Sequence, residues 1–80
     1  MNMRVLFFAH LKDVTQCTEL ALAADNLDVD GLWRELVAVH PALAPFRASL
    51  RIARNSEYVG PDDRFNAGDE VALIPPVSGG

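Results

Sequence analysis

Apolar side chains crowd residues 3–9 (MRVLFFA), where both alternating sets of positions are hydrophobic. Successive side chains of a strand point to opposite faces, so the pattern predicts a central strand. Either both of its faces are covered, or one is covered and the other is used for contact. The polar stretch HLKDVTQC turns the chain. Residues 18–24 (TELALAA) then place Leu20 and Leu22 on one side and Glu19 and Ala21 on the other. Two strands with a short connection predict an antiparallel hairpin.

The period then changes. Val29, Leu32, Trp33, Leu36 and either Val39 or His40 recur at helical spacing and mark one buried face. Asp28 is a good N-cap for this helix, Asp30 suits its first turn, and Gly31 weakens it slightly. Pro41 stops it, because the residue before a proline is pushed away from helical geometry. PALAPF, with two prolines, reads as an irregular or single-turn link.

Residues 50–53 (LRIA) alternate Leu50 and Ile52 against Arg51 and Ala53, a strand with one wet face. A turn at Asn55-Ser56 leads to a short strand around Tyr58-Val59. PDDRFNAGDE is a polar connector whose Ala67-Gly68-Asp69 turns into a last strand, residues 70–74 (EVALI). Pro75-Pro76 ends sheet pairing, since neither proline donates a ladder hydrogen bond. The order is strand, strand, helix, strand, short strand, strand. It predicts an α+β domain of β-grasp, ubiquitin-like layout, with a mixed four- to five-stranded sheet covered on one face by one main helix.

Eighty residues make one small domain, expected at residues 1–76, followed by a tail at 77–80. Half of the residues are apolar, which argues for a folded chain. The net charge of −4 sets eleven acidic against seven scattered basic side chains, which disfavours nucleic acid as a partner. The amino-terminal apolar run is too short to span a membrane and lacks a small-residue cleavage site. It reads as structure, and the chain as cytoplasmic.

Candidate chemistry inside the domain is sparse. His10 and His40 have no partner at ligand or triad spacing, and no metal site is expected. Asp62-Asp63 and Asp69-Glu70 are adjacent pairs whose side chains diverge in an extended chain, so they read as turn acids. Cys17, the only cysteine, reads as a structural thiol with no helix start or histidine nearby to activate it. Tyr58 and Ile74 sit on strands with one wet face, where they serve either as a docking surface or as ordinary core.

The sequence ends in PPVSGG. The prolines favour an extended course, so Val77, Ser78, Gly79 and Gly80 are expected to project from the sheet. Glycine has no Cβ, which lets Gly79 and Gly80 pass a narrow channel and leaves the Gly80 carbonyl open to a nucleophile. A carboxylate is a poor electrophile, so chemistry there first needs activation, most economically as an acyl-phosphate anhydride. The expectation is a substrate-like tail presented to another enzyme.

Three stretches carry a resemblance: VLFFAHLKD at the start, GDEVALIPPVSGG at the close, and the order of elements between them. They resemble the small subunit of molybdopterin synthase, the MoaD family, over essentially the whole chain. The resemblance implies a sulfur carrier in molybdenum-cofactor synthesis. An activating enzyme related to ubiquitin E1 adenylates the Gly80 carboxylate with ATP and magnesium, while the chain itself binds no cofactor. Sulfur from a persulfide donor displaces AMP and leaves a Gly80 thiocarboxylate. The tail then enters the large subunit of a heterotetrameric synthase, and its sulfur attacks cyclic pyranopterin monophosphate. By position, Tyr58 and Ile74 match apolar family contacts to both partners, and Lys12 matches a basic contact. DVTQC departs from the family's glycine-containing hairpin turn. The alternatives are a carrier for thiamine or amino-acid synthesis, a ubiquitin-like modifier, and an interaction module whose tail only docks.

Overall fold

The alternation of β1 (Met3–Phe7) sorts its side chains cleanly, since Met3, Val5 and Phe7 are buried while Arg4 is exposed and Leu6 half-buried. A computed structural model describes residues 1–75. The expected division at residue 76 and the tail residues Val77, Ser78, Gly79 and Gly80 lie outside the described residues. After β1 come α1 (Leu11–Thr15), β2 (Glu19–Leu22), α2 (Val29–Val39), a 3-10 helix (Pro41–Ser49), β3 (Arg51–Arg54), β4 (Glu57–Tyr58) and β5 (Glu70–Ile74).

The strands form one five-stranded sheet in the order β2-β1-β5-β3-β4. β1 pairs antiparallel with β2, as the hairpin pattern predicts, and parallel with β5. β3 runs antiparallel to both β5 and β4. The mixed sheet carries α2 on one face. Leu32, Trp33 and Leu36 pack there against Met3, Val5, Phe7, Leu22, Ile52, Val71 and Leu73. The α+β, β-grasp expectation holds.

Local signals explain most element boundaries. The Asp28 carboxylate accepts the Gly31 N–H at 2.7 Å and caps α2. Asn55 (φ 51°) and Ser56 (φ 73°) make the left-handed turn between β3 and β4, and Gly68 (φ 93°) turns the chain into β5. On the face of α2, Val39 is 47% exposed. His40 takes the inner position, its ring edge-on to Phe7 at a centroid distance of 5.7 Å.

Three segments differ from the sequence expectations. The connector after β1 is not a bare turn but the short helix α1. Leu11 and Thr15, four apart, bury one face, and the Thr15 hydroxyl donates to the Leu11 carbonyl at 2.9 Å. No glycine is needed because Ala9 (φ 53°) and Gln16 (φ 60°) take the left-handed positions. The segment after α2 is a nine-residue 3-10 helix rather than an irregular link. Proline at a helix start needs no N–H, so Pro41 opens the second helix while ending the first, and Leu43 plugs fully into the core. Phe65, within the polar connector, is fully buried. Its backbone exchanges two hydrogen bonds with Leu27, at 2.7 and 2.8 Å, and ties the connector to the chain entering α2.

Candidate functional site

The helix covers only one face of the sheet, and strand alternation dictates what the other face displays. Register places Arg4 beside Glu70, Leu6 beside Ala72, Arg51 beside Ile74, and Ala53 beside both Ala72 and Tyr58. All of these side chains point away from α2. They form an apolar centre with charged ends. Leu6, Phe8, Ala53, Tyr58, Ala72 and Ile74, with Ser56 and Glu70 at the rim, line a groove of about 290 Å³. Phe8 is 45% exposed and Tyr58 61% exposed. Large apolar side chains this open to water, gathered in one patch, are the signature of a contact surface.

At one end of the face Arg4 bridges two carboxylates, Glu19 at 3.0 Å and Glu70 at 2.8 Å. The other end holds Arg51, whose guanidinium carbon lies 4.3 Å from the centre of the Tyr58 ring. This is also the end where β5 finishes, with Ile74 leading into Pro75. The root of the expected carrier tail therefore belongs to the same surface as Tyr58 and Phe8.

Tyr58 and Ile74, which the sequence left as either docking surface or core, both line the groove. Lys12 is exposed on α1, beyond the end of β1 toward which β5 also runs, and does not line the groove. Phe8 and Leu6 were missed as site residues, although one of the two readings of MRVLFFA left a face of that strand for contact. Alternation would have assigned both to that face.

The remaining candidates have local roles. Asp63 accepts the Gly60 N–H at 2.7 Å and Asp69 the Asn66 N–H at 2.7 Å, each within a turn. Asp69 also accepts from Asn55 Nδ2 at 3.1 Å, linking the β3–β4 turn to the one before β5. Cys17 does have a histidine beside it, contrary to expectation. Its Sγ lies 3.7 Å from His40 Nε2, brought there by the packing of α2 across the end of the sheet. Among the described residues no three His, Cys, Asp or Glu side chains gather as metal ligands. Among them, too, no helix is long and apolar enough to cross a membrane. A second groove of about 310 Å³ lies between α2 and the 3-10 helix, lined by Trp33, Arg34, Val37, Ala44 and Arg47. It is on the helical side, away from the root of the tail.

Comparison with known proteins fits this layout. The model of the ThiS family matches residues 5–80. The chain is 39% identical to the molybdopterin synthase sulfur carrier subunit of Chlamydomonas reinhardtii, with 100% of both chains covered. Its fold is similar to the crystal structure of SAMP1 from Haloferax volcanii, with a TM-score of 0.86, 31% identity and 100% of both chains covered. It is also similar to a chain in the complex of subunits 1 and 2 of the molybdopterin-converting factor from Helicobacter pylori 26695. There the TM-score is 0.72 and the identity 26%, again over 100% of both chains. An apolar sheet face at the root of a Gly-Gly tail, on a chain related to such proteins over its whole length, places it in one family: the chain belongs to the ThiS family, among the molybdopterin synthase sulfur carrier subunits.

Proposed function

We propose that this chain carries sulfur for molybdenum-cofactor synthesis as the small subunit of molybdopterin synthase, with the Gly80 carboxylate as the carrier group. The observation that carries the reading is the full-length relationship to a molybdopterin synthase sulfur carrier subunit, 39% identical with 100% of both chains covered. The apolar face at the end of β5 supports it, because a docking surface there holds a partner where the tail begins.

The work divides between surface and tail. An E1-related enzyme, using ATP and magnesium, joins the Gly80 carboxylate to AMP and releases pyrophosphate. The outer sulfur of a persulfide donor attacks the acyl-adenylate carbonyl and displaces AMP. A thiol then cleaves the S–S bond of the resulting acyl disulfide, leaving the thiocarboxylate on Gly80 and a disulfide on the donor side. Phe8, Tyr58 and Ile74 then seat against the large synthase subunit, with Lys12 as a peripheral basic contact. Gly79 and Gly80, lacking side chains, thread toward the pterin, and the thiocarboxylate sulfur attacks it. The acid-base groups belong to the large subunit, and this chain supplies the reacting atom. The reading puts the chain in the cytoplasm, with ATP and its partner enzymes.

Intact-mass measurement after incubation with the cognate activating enzyme, ATP, magnesium, a persulfide donor and a thiol reductant tests this. One oxygen of the terminus is replaced by sulfur, and a chain lacking Gly80 stays unchanged. An unmodified wild-type chain beside an enzyme shown to be active would overturn the proposal. The likeness to SAMP1, a small archaeal modifier protein, favours one second reading, conjugation of Gly80 to lysines of other proteins. Covalent ladders in a lysate that vanish on deleting Gly80 are its expected signature.

A further inference from the structure

The charges on the open sheet face are not equivalent. Arg4 is neutralised by Glu19 and Glu70. Arg51, at the opposite end and in register with Ile74, has no carboxylate within 4.0 Å among the described residues. Its guanidinium instead lies over the Tyr58 ring. A guanidinium stacked on an aromatic face is partly desolvated and held in place, while its N–H edge stays open to accept a planar anion in two-point contact. On a chain of net charge −4, an uncompensated cation beside an exposed apolar groove is conspicuous.

We infer that Arg51 is a specificity residue of this face, selecting partners that present a carboxylate at the tail end of the groove. The inference rests on the proposed docking to the large synthase subunit and adds the chemistry the partner must show there. Tyr58 acts twice, as an apolar contact and as the platform that fixes the guanidinium. Fixing the cation before binding lowers the entropy lost in the complex. A charge at the rim of an apolar contact governs partner choice and association rate, and its effect fades with salt.

The test is binding of the full chain to the purified cognate large subunit across a range of ionic strengths. At low salt R51Q weakens binding by about five-fold and R51E by about thirty-fold, in line with the loss and then reversal of one interfacial charge. The gap between R51E and wild type narrows as salt rises, and R51K falls between wild type and R51Q, because the charge remains while the stacked two-point geometry is lost. Melting temperatures of the variants stay close to that of wild type, since Arg51 is exposed. Equal binding by R51E and wild type overturns the inference while leaving the proposed function standing. So does a deficit independent of salt and shared by R51K, which would mark lost packing instead of charge. Failure of the wild-type chain itself to bind the large subunit overturns the docking reading, and the inference with it.

Discussion

The Asp28 carboxylate satisfies one N–H that α2 cannot satisfy itself, and it does so through Gly31 at 2.7 Å. Asp28→Ala is expected to cost about 1 kcal/mol, which lowers the melting temperature of a domain this size by about 4–8 °C. Gly31 is coupled to the same cap. A helix-interior glycine ordinarily invites replacement by alanine for a gain of about 1 kcal/mol. Here an added Cβ would meet the Asp28 Oδ1 at 3.0 Å and Leu27 Cδ2 at 3.3 Å. Gly31→Ala should therefore bring no rise in melting temperature, and a rise of several degrees would contradict the coupling. Asp30 depends on the neighbouring 3-10 helix. The hydrogen bond from Arg47 and then the Arg47 charge lower its pKa below the usual 3.8, against an opposing effect of desolvation, with the Arg34 charge the smallest contribution. Because the folded value is the lower one, the contribution is complete above pH 3.8 and is lost as pH falls through the folded value. Both partners are exposed, so salt screens it. In Arg47→Ala, an NMR titration should find Asp30 returned toward 3.8, with any stability difference from wild type vanishing in acid. Caps and turn residues of this kind were legible because they act within four residues of themselves. The approach of Cys17 to His40 was not, since it joins positions 23 residues apart.

The strands and α2 were read correctly, while the two helical segments beside α2 and β1, the 3-10 helix and α1, were not. β1 and α2 show several turns of their pattern, so their faces follow from counting. α1 has five residues and buries two of them, which leaves no period to detect. The 3-10 helix was hidden by its prolines, which read as breakers when Pro41 in fact occupies a helix start. Phe65 is the clearest loss. Nothing in PDDRFNAGDE alternates, yet Phe65 fills the end of the core and pins the connector to Leu27. Its weight can be measured. Phe65→Ala is expected to cost about 3–5 kcal/mol, comparable with the whole stability of a small domain, and to leave a chain that melts at or below body temperature. Phe65→Leu retains most of the volume and should cost about 1 kcal/mol. A melting temperature for Phe65→Ala within a few degrees of wild type would show that the connector is not part of the cooperative unit. Urea titration of both variants distinguishes this from a change in the unfolded state, because a pure loss of stability leaves the slope unchanged.

The molecule as a whole places its core on one face of the sheet and an open apolar groove on the other. The covered face collects the core, and the open face collects Leu6, Phe8, Tyr58, Ala72 and Ile74 outside it, with buried Ala53 between them. β5 lies in the middle of the sheet and runs parallel to β1, so its last residue reaches the tail end of the open face. This arrangement predicts that docking, stability and chemistry come apart under mutation. Phe8→Ser and Tyr58→Ala remove side chains that are 45% and 61% exposed, so each should cost the fold no more than about 1 kcal/mol. Aromatic anchors of a contact surface commonly contribute about 2 kcal/mol or more to binding, so the same changes should weaken binding to the large subunit by about thirty-fold or more. Deleting Gly80 should do the reverse, leaving melting temperature and docking near wild type while ending sulfur transfer. Calorimetry, binding measurements and a transfer assay on the three variants test the separation together. If Tyr58→Ala unfolds the chain, the open face is part of the core after all. If it binds and transfers as wild type does, the partner sits elsewhere. Only weakened binding on an intact fold places the docking surface where the sheet leaves it bare.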